Sequence, residues 1–158
     1  MLPEYRFQGV RARMRGVELE GRTRVLPGAV HVDITASLDL LRGDNLNTQT
    51  PLPRLSPQRV RVGVEGGTAA WQAGADLRHV ARQSRVSSND TPTDGYRVLD
   101  LWARGKLLQG GWLESLGWYG RLGNVGNTLG YNAVAVATVR GLAPLPGRAL
   151  ALGLSARW

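Results

Sequence analysis

The sequence predicts an all-β chain, an antiparallel up-and-down transmembrane β-barrel segment of about seven strands, or eight if one more closes it. Three observations carry that expectation. Apolar and polar residues alternate at period 2 over seven separate stretches, which places one set on each face of a strand. The connectors alternate between short Gly/Pro turns and long polar loops. The 158 residues include 21 Gly, a single Phe and no Cys, which disfavours a helix-bundle core and excludes disulfides, thiolate catalysis and Cys-held metal or iron–sulfur sites.

The clearest strand runs from Ala29 to Leu41. Val30, Val32, Ile34, Ala36, Leu38 and Leu40 share one parity, and His31, Asp33, Thr35, Ser37 and Asp39 the other. That run exceeds the usual 5 or 6 residues of a globular strand and suits a tilted strand crossing a bilayer. Before it, Val17, Leu19, Thr23 and Val25 alternate with Glu18, Glu20, Arg22 and Arg24. After it come Val60, Val62 and Val64, then Trp71, Ala73, Ala75 and Leu77, then Leu99, Leu101 and Ala103. Leu116, Trp118, Gly120 and Leu122 follow, and Leu150, Leu152, Leu154, Ala156 and Trp158 close the chain.

Leu26–Gly28, Gly66–Thr68 and Leu108–Gly111 read as tight turns. Gly43–Pro57, Ser84–Asp94 and Asn124–Gly147 read as long loops. Membrane barrels show this alternation, with short periplasmic turns and long extracellular loops. The last strand then runs inward, and the chain starts on the extracellular side. Ala133–Val139 is apolar and β-prone inside the last loop. It reads as an extra strand, a plug-facing loop or an aggregation-prone segment. A closing eighth strand would come from Val134–Val139 or Tyr5–Arg15.

Chemistry in the sequence is sparse. Glu18 and Glu20 share a face with Arg22 and Arg24, so a ladder of cross-strand ion pairs fits better than an acid/base couple. Ser84, Ser87 and Ser88 lack a nucleophile-elbow pattern, and Gly123–Gly130 lacks the Lys-Ser/Thr ending of a phosphate loop. His31 and His79 lie on different strands, as a lumen and a rim residue. The net charge is +8, and 19 of the 20 cations are Arg. They alternate through strands instead of gathering with aromatics on one patch, so lumen lining and contact with anionic lipopolysaccharide are expected and a nucleic-acid partner is not. Trp71, Trp112, Trp118 and Trp158 suit an interfacial aromatic girdle; Trp102 falls on the polar parity, against lumen contents. No catalytic residue, cofactor or metal site is expected.

Several motifs in order resemble the C-terminal part of TonB-dependent outer-membrane receptors. They are Leu2–Tyr5, Gly16–Gly21, Pro51–Pro57, Asn89–Tyr96, Arg121 with Asn124, and Leu142–Arg148. The closing Gly153–Trp158 resembles the family's barrel-assembly signal through Gly153, Ala156 and the terminal aromatic Trp158, departing at Ala156, where a larger residue is usual. The resemblance runs nearly end to end and implies a 22-stranded barrel filled by an N-terminal plug. Residues 1–158 would be the last third or so of that barrel, with the plug absent and without a signal peptide.

A whole receptor of this kind takes up a scarce nutrient such as a ferric siderophore, haem, a vitamin or another metal complex. This part alone is not expected to transport. The implied partners are outer-membrane lipid and lipopolysaccharide, the plug and remaining strands, a TonB-type energy-coupling protein and the barrel-assembly machinery. The implied location is the outer membrane of a Gram-negative bacterium. The alternative is a self-contained small outer-membrane barrel with a structural or adhesion role. Candidate ligand contacts, chosen by loop position, are Asp44, Asn45, Asn47, Asn89, Asp90, Asp94, Asn124 and Asn127; Asn and Asp are also ordinary turn residues.

Overall fold

The computed structural model describes residues 9–110 and 112–158. Its long strands are β1 (Ala12–Leu26), β2 (His31–Asn45), β4 (Arg59–Gly67), β5 (Trp71–Val80), β6 (Tyr96–Gly110), β7 (Leu113–Gly123) and β8 (Ala149–Arg157). A two-residue strand, β3 (Thr50–Pro51), folds back on the end of β2. The one helix among the described residues is α1 (Ala137–Arg140), too short to cross a membrane, so any crossing is made by strands. Seven of the strands form one antiparallel meander in the order β1-β2-β4-β5-β6-β7-β8. The chain is an up-and-down β-barrel segment.

The long strands are 9 to 15 residues in length, which matches what a tilted strand needs to span hydrocarbon. Several outrun the apolar alternation that marks them. β2 continues past Leu41 to Asn45, and β6 runs from Tyr96 to Gly110, because a backbone ladder persists above and below the apolar band whatever the side chains are. Of the turn expected at Leu108–Gly111, Leu108 to Gly110 belong to β6, and Gly111 lies outside the described residues.

Two expectations for an eighth strand are corrected. Val134–Val139 is no strand: it forms turns and enters α1. The Ala133 and Ala135 carbonyls accept hydrogen bonds from the Arg140 guanidinium, at 3.2 and 3.0 Å, instead of from a neighbouring strand. From Tyr5–Arg15, residues 12–15 belong to β1 and 9–11 form no strand, while residues 5–8, like the Leu2–Tyr5 motif, lie outside the described residues. The extra strand is β3, inside the loop expected at Gly43–Pro57.

Cross-strand register shows how the sheet is staggered. One row joins Thr23, Ile34, Val64, Ala75, Leu101 and Leu122. Leu122 stands one residue from the loop end of β7, whereas Thr23 stands near the turn end of β1. Rows therefore climb toward the loops from β1 to β7, which is the stagger that tilted barrel strands require.

The same rows sort the side chains. Leu19, Leu38 and Val60 share a face, as do Val62, Leu77 and Leu99. Many residues of this face are exposed, among them Val17, Leu19, Ile34, Val62, Val64, Leu77, Leu99, Leu150, Leu152 and Leu154. Among the described residues the buried apolar ones are Val80, Val98 and Ala133, too few to make a conventional core. The accessible surface is 11640 Å², against about 7,800 Å² for a compact protein of this mass. Exposure on that scale is unfavourable in water and appropriate in hydrocarbon.

Aromatic rings on the sheet lie across from glycines. Gly74 opposes Trp102 and Gly153 opposes Tyr119. A Cβ on Gly74 would come within 2.6 Å of the Trp102 ring, and one on Gly153 would meet Tyr119. Trp102 is half-buried on the polar face with the Arg104 guanidinium 5.6 Å from its ring centroid. Trp71, Trp112 and Trp158 lie at the short-turn end, with Trp112 and Trp158 87% and 89% exposed, where an interfacial girdle would stand.

Two measurements check this arrangement. Single-Cys variants at Val32, Ile34, Ala36 and Leu38 should be protected from a water-soluble thiol reagent in membranes, and those at Thr35, Ser37 and Asp39 should react; equal reactivity would contradict the facing. Leu152→Arg should impair folding into membranes by about 2–4 kcal/mol, and deletion of Trp158 should lower folded yield, both read as loss of heat-modifiable gel mobility.

Candidate functional site

The face opposite the apolar one is held by charges that pair across strands. Arg22 donates to Asp33 at 2.6 Å and also reaches Glu65. Arg24 donates to both oxygens of Asp33 at 2.7 and 3.1 Å. Asp33 is 2% exposed, gripped from two sides. Arg59 pairs with Asp39, Arg61 with Asp76 at 2.7 Å, and Arg121 with Asp100 at 3.0 Å. The expected ladder is present, yet its acids come from β2, β4, β5 and β6. Glu18 and Glu20 take no part in the ion pairs among the described residues. These Arg side chains are half or more exposed, so each pair adds little stability by itself. Together they leave a hydrated, charge-balanced inner wall.

Above this wall the three long loops are tied to one another. Arg85 in the second loop pairs with Asp44 at the end of β2 at 2.6 Å, and Gln83 donates to the Leu55 carbonyl at 2.8 Å. Those contacts join the first loop to the second. Arg140 in the third loop pairs with Asp90 in the second at 2.7 Å and donates to the Thr91 carbonyl at 2.8 Å. Both members of that pair are nearly buried. Beneath the third loop, Arg78, Asp100, Arg121, Asn124, Pro146 and Gly147 line a recess of ≈ 320 Å³ open to the inner face.

The loop residues singled out in the sequence now have places. Asn45 accepts from the Asn47 and Thr48 amides at 2.9 and 3.3 Å, closing an Asx turn, and Asn47 accepts from Arg11 at 3.4 Å. Asn124 and Asn127 both adopt positive φ, 48° and 49°. Asn124 is buried, accepting from the Thr128 amide at 2.8 Å and donating to the Thr128 and Pro146 carbonyls. Its own amide donates to Asp100 at 2.7 Å. Asn127 accepts from the Arg148 amide at 2.9 Å. Asp44 and Asp90 are the ion-pair partners just described. Asn89 is exposed in the turn that Asp90 closes onto the Ser87 carbonyl. Asp94 is 90% exposed, 3.5 Å from Arg82. Asn47, Asn89, Asp94 and Asn127 are all exposed; Asn47 and Asn127 are bonded to Arg11 and Arg148, which leaves Asn89 and Asp94 as the exposed candidates without a side-chain hydrogen bond among the described residues.

Sequence reasoning missed Arg140. Its signal was available: Arg140 is the single charged residue between Leu122 and Gly147, and a lone charge within an apolar stretch that becomes buried has to be paired. Burial would by itself raise the Asp90 carboxyl, but hydrogen bonds from Arg140 and the Thr91 amide, with the charges of Arg140 and Arg54, outweigh it and hold it below the ordinary carboxylate value. The consequence for pH follows from the sign: a depressed carboxyl contributes stability that is complete above its unfolded pKa and is lost as pH falls through the folded one.

The sequence matches the family described as TonB dependent receptor-like, beta-barrel over residues 3–158. No curated protein matches the chain. Among solved structures, the chain is similar to one titled "Copper transporter OprC", with a TM-score of 0.76 and 24% identity. The match covers 92% of this chain and 23% of that one, so the chain spans under a quarter of that structure's length. This likeness is one of fold.

Arg140→Ala should free the third loop from the second, at a cost of about 3 kcal/mol or more because Asp90 is left buried without its partner. Limited proteolysis within residues 124–148 reads this directly. In the parent, protection of the same loop should hold at neutral pH and fall only below the ordinary Asp range of about 3.9.

Proposed function

The chain belongs to the TonB-dependent receptor β-barrel family, and from that premise we propose that it forms the C-terminal part of the barrel wall of an outer-membrane receptor in a Gram-negative bacterium. The receptor takes up a scarce nutrient, of the siderophore, haem, vitamin or metal-complex kind, with energy delivered through a TonB-type partner. Neighbouring strands, and a plug within the lumen, come from the remainder of the receptor. The observation that carries this reading is the pair of open edges. Among the described residues, β1 pairs along its length with β2 alone and β8 with β7 alone. Unpaired ladders do not persist in hydrocarbon, so each edge calls for another strand. The same edges count against a self-contained barrel closed by β1 and β8.

The division of labour follows from the two faces and the loops. The apolar face meets lipid, the ion-paired face lines the lumen around the plug, and the linked loops form part of the extracellular vestibule. Asp44, Asn45, Asn47, Asp90, Asn124 and Asn127 shape that vestibule, and exposed Asn89 and Asp94 offer hydrogen-bonding groups to an incoming ligand. Gly153, Ala156 and Trp158 present the terminal strand to the barrel-assembly machinery. The family consists of receptors and transporters, and the chain accordingly acts by forming a passage and not by catalysing a reaction.

Co-expression with the remaining part of the receptor is the test. It should yield heat-modifiable barrels in the outer membrane and energy-dependent uptake that ceases when the coupling protein is removed. Asn89→Ala combined with Asp94→Ala should weaken ligand binding without lowering barrel yield. Accumulation of the chain as a soluble folded monomer would contradict the reading.

A further inference from the structure

The inner wall carries its charges in two ways. Over most of its height, each inward Asp or Glu of β2, β4, β5 and β6 meets an Arg. At the short-turn end that pairing stops. Arg104 and Lys106 of β6 and Arg157 of β8 lie there on the inward face. All three are exposed, and among the described residues none has a carboxylate within ion-pair distance.

Register sets these cations around one space. Arg104 stands opposite Tyr119, and Tyr119 opposite Gly153. Two residues nearer the turn, Lys106 stands opposite Gly117 and Gly117 opposite Ser155. Arg157 comes next along β8, opposite Ser115. Neighbouring strands lie about 4.8 Å apart, so β6 and β8 are separated by about 10 Å, and Gly117 puts no side chain into the gap. The gap is a recess of ≈ 720 Å³ open to the lumen, lined by all three cations and by the hydroxyls of Ser115, Tyr119 and Ser155. No Asp or Glu lines it.

One wall of the recess is held in place. The Arg104 Nε and Nη2 donate to the Gln72 side-chain carbonyl at 3.0 and 2.6 Å, and Trp102 stands beneath the same guanidinium. Both partners are neutral, so they orient Arg104 without cancelling its charge. The Lys106 amide donates to the Ala70 carbonyl at 2.8 Å, which ties the β4–β5 turn to β6 at the rim. A volume of this size falls within the roughly 300–1,000 Å³ of small-molecule pockets. A concave surface with cations of one sign raises the local concentration of anions. The recess beneath the third loop differs, because Asp100 stands beside its arginines.

We propose that Arg104, Lys106 and Arg157 form a binding site for a small polyanion, a molecule with two or more carboxylate or phosphate groups, at the turn end of the lumen. The inference rests on the barrel reading given above and adds a charge class to the cargo: an anionic complex, held here on its way out of the passage. Arg104 and Lys106 stand on one side of the recess and Arg157 on the other, so a ligand with two acid groups meets both sides at once. Guanidinium forks suit the paired oxygens of either group, and Lys106 adds a compact charge between them.

The test uses the barrel formed by co-expression with the remaining part of the receptor, purified in detergent and titrated calorimetrically with citrate and with inorganic pyrophosphate. Each probe should bind saturably and displace the other, and acetate, with one acid group, should compete poorly. K106Q/R157Q leaves the Arg104–Gln72 contact in place and should give heat-modifiable barrels in equal yield. It should bind both probes about tenfold more weakly or worse, while K106R/R157K keeps most of the affinity. Unchanged affinity in the Gln variant, or acetate competing as well as citrate, would overturn the site and leave the barrel reading intact. So would a lack of saturable binding, the result expected if an acidic segment of the remaining part fills the recess. Failure of the parent chain to form heat-modifiable barrels would overturn both.

Discussion

A β-strand in hydrocarbon has no water to accept its N–H groups or donate to its carbonyls, and every other feature of this chain is arranged around that fact. Between β2 and β7 each long strand has two neighbours, so its ladder is complete. Among the described residues the ladder stops on one side at β1 and β8, leaving strands of 15 and 9 residues with a bare edge. The exposure of β1 along its whole length is the packing consequence. A water-soluble sheet would blunt such edges with charge, bulges or a covering loop. Here the lipid-facing side of the β8 edge is Leu150, Leu152 and Leu154, a surface suited to continue a wall.

The interior follows a different logic from a protein core. An ordinary domain gains stability from buried apolar volume; here the buried residues include Asp33, Thr93, Asn124 and Arg140. Backbone pairing fixes the sheet, and the inner side chains then neutralise one another across it. Arg24 shows the geometry: its fork meets both oxygens of Asp33, one residue across the β1–β2 ladder. A strand pair of this kind places opposite charges at a fixed separation without a folded core behind them.

The face of each strand was legible in the sequence because period-2 alternation is imposed by the pleat itself, and Val30–Leu40 states it without interruption. Strand ends were less legible. Arg42 and Asp44 still belong to the β2 ladder, but they stand above the apolar band, where polarity no longer reports pairing. The third loop was hardest to read. Ala133–Val139 has the composition of a strand, and its conformation depends on Arg140 finding Asp90 fifty residues away in sequence. Asn124 and Asn127 were visible as turn formers, but that Asn124 stitches Thr128, Pro146 and Asp100 together depends on loops meeting in space.

The bias toward Arg, with Lys106 as the single Lys, brings these levels together. A lysine presents a strongly hydrated point charge, whereas the guanidinium is a planar fork that can serve two acceptors at once. Arg22 bridges Asp33 and Glu65, Arg61 places Nε and Nη2 on Asp76, and Arg140 serves one carboxylate and three backbone carbonyls. Arg22 and Arg61 use the fork on a hydrated wall, whereas nearly buried Arg140 has several fixed acceptors and little free water around it, the condition that favours the fork most. The same side-chain chemistry thus lines the inner face from the strands and locks the loops from between them, and the position of a given Arg in strand or loop decides which of these it does.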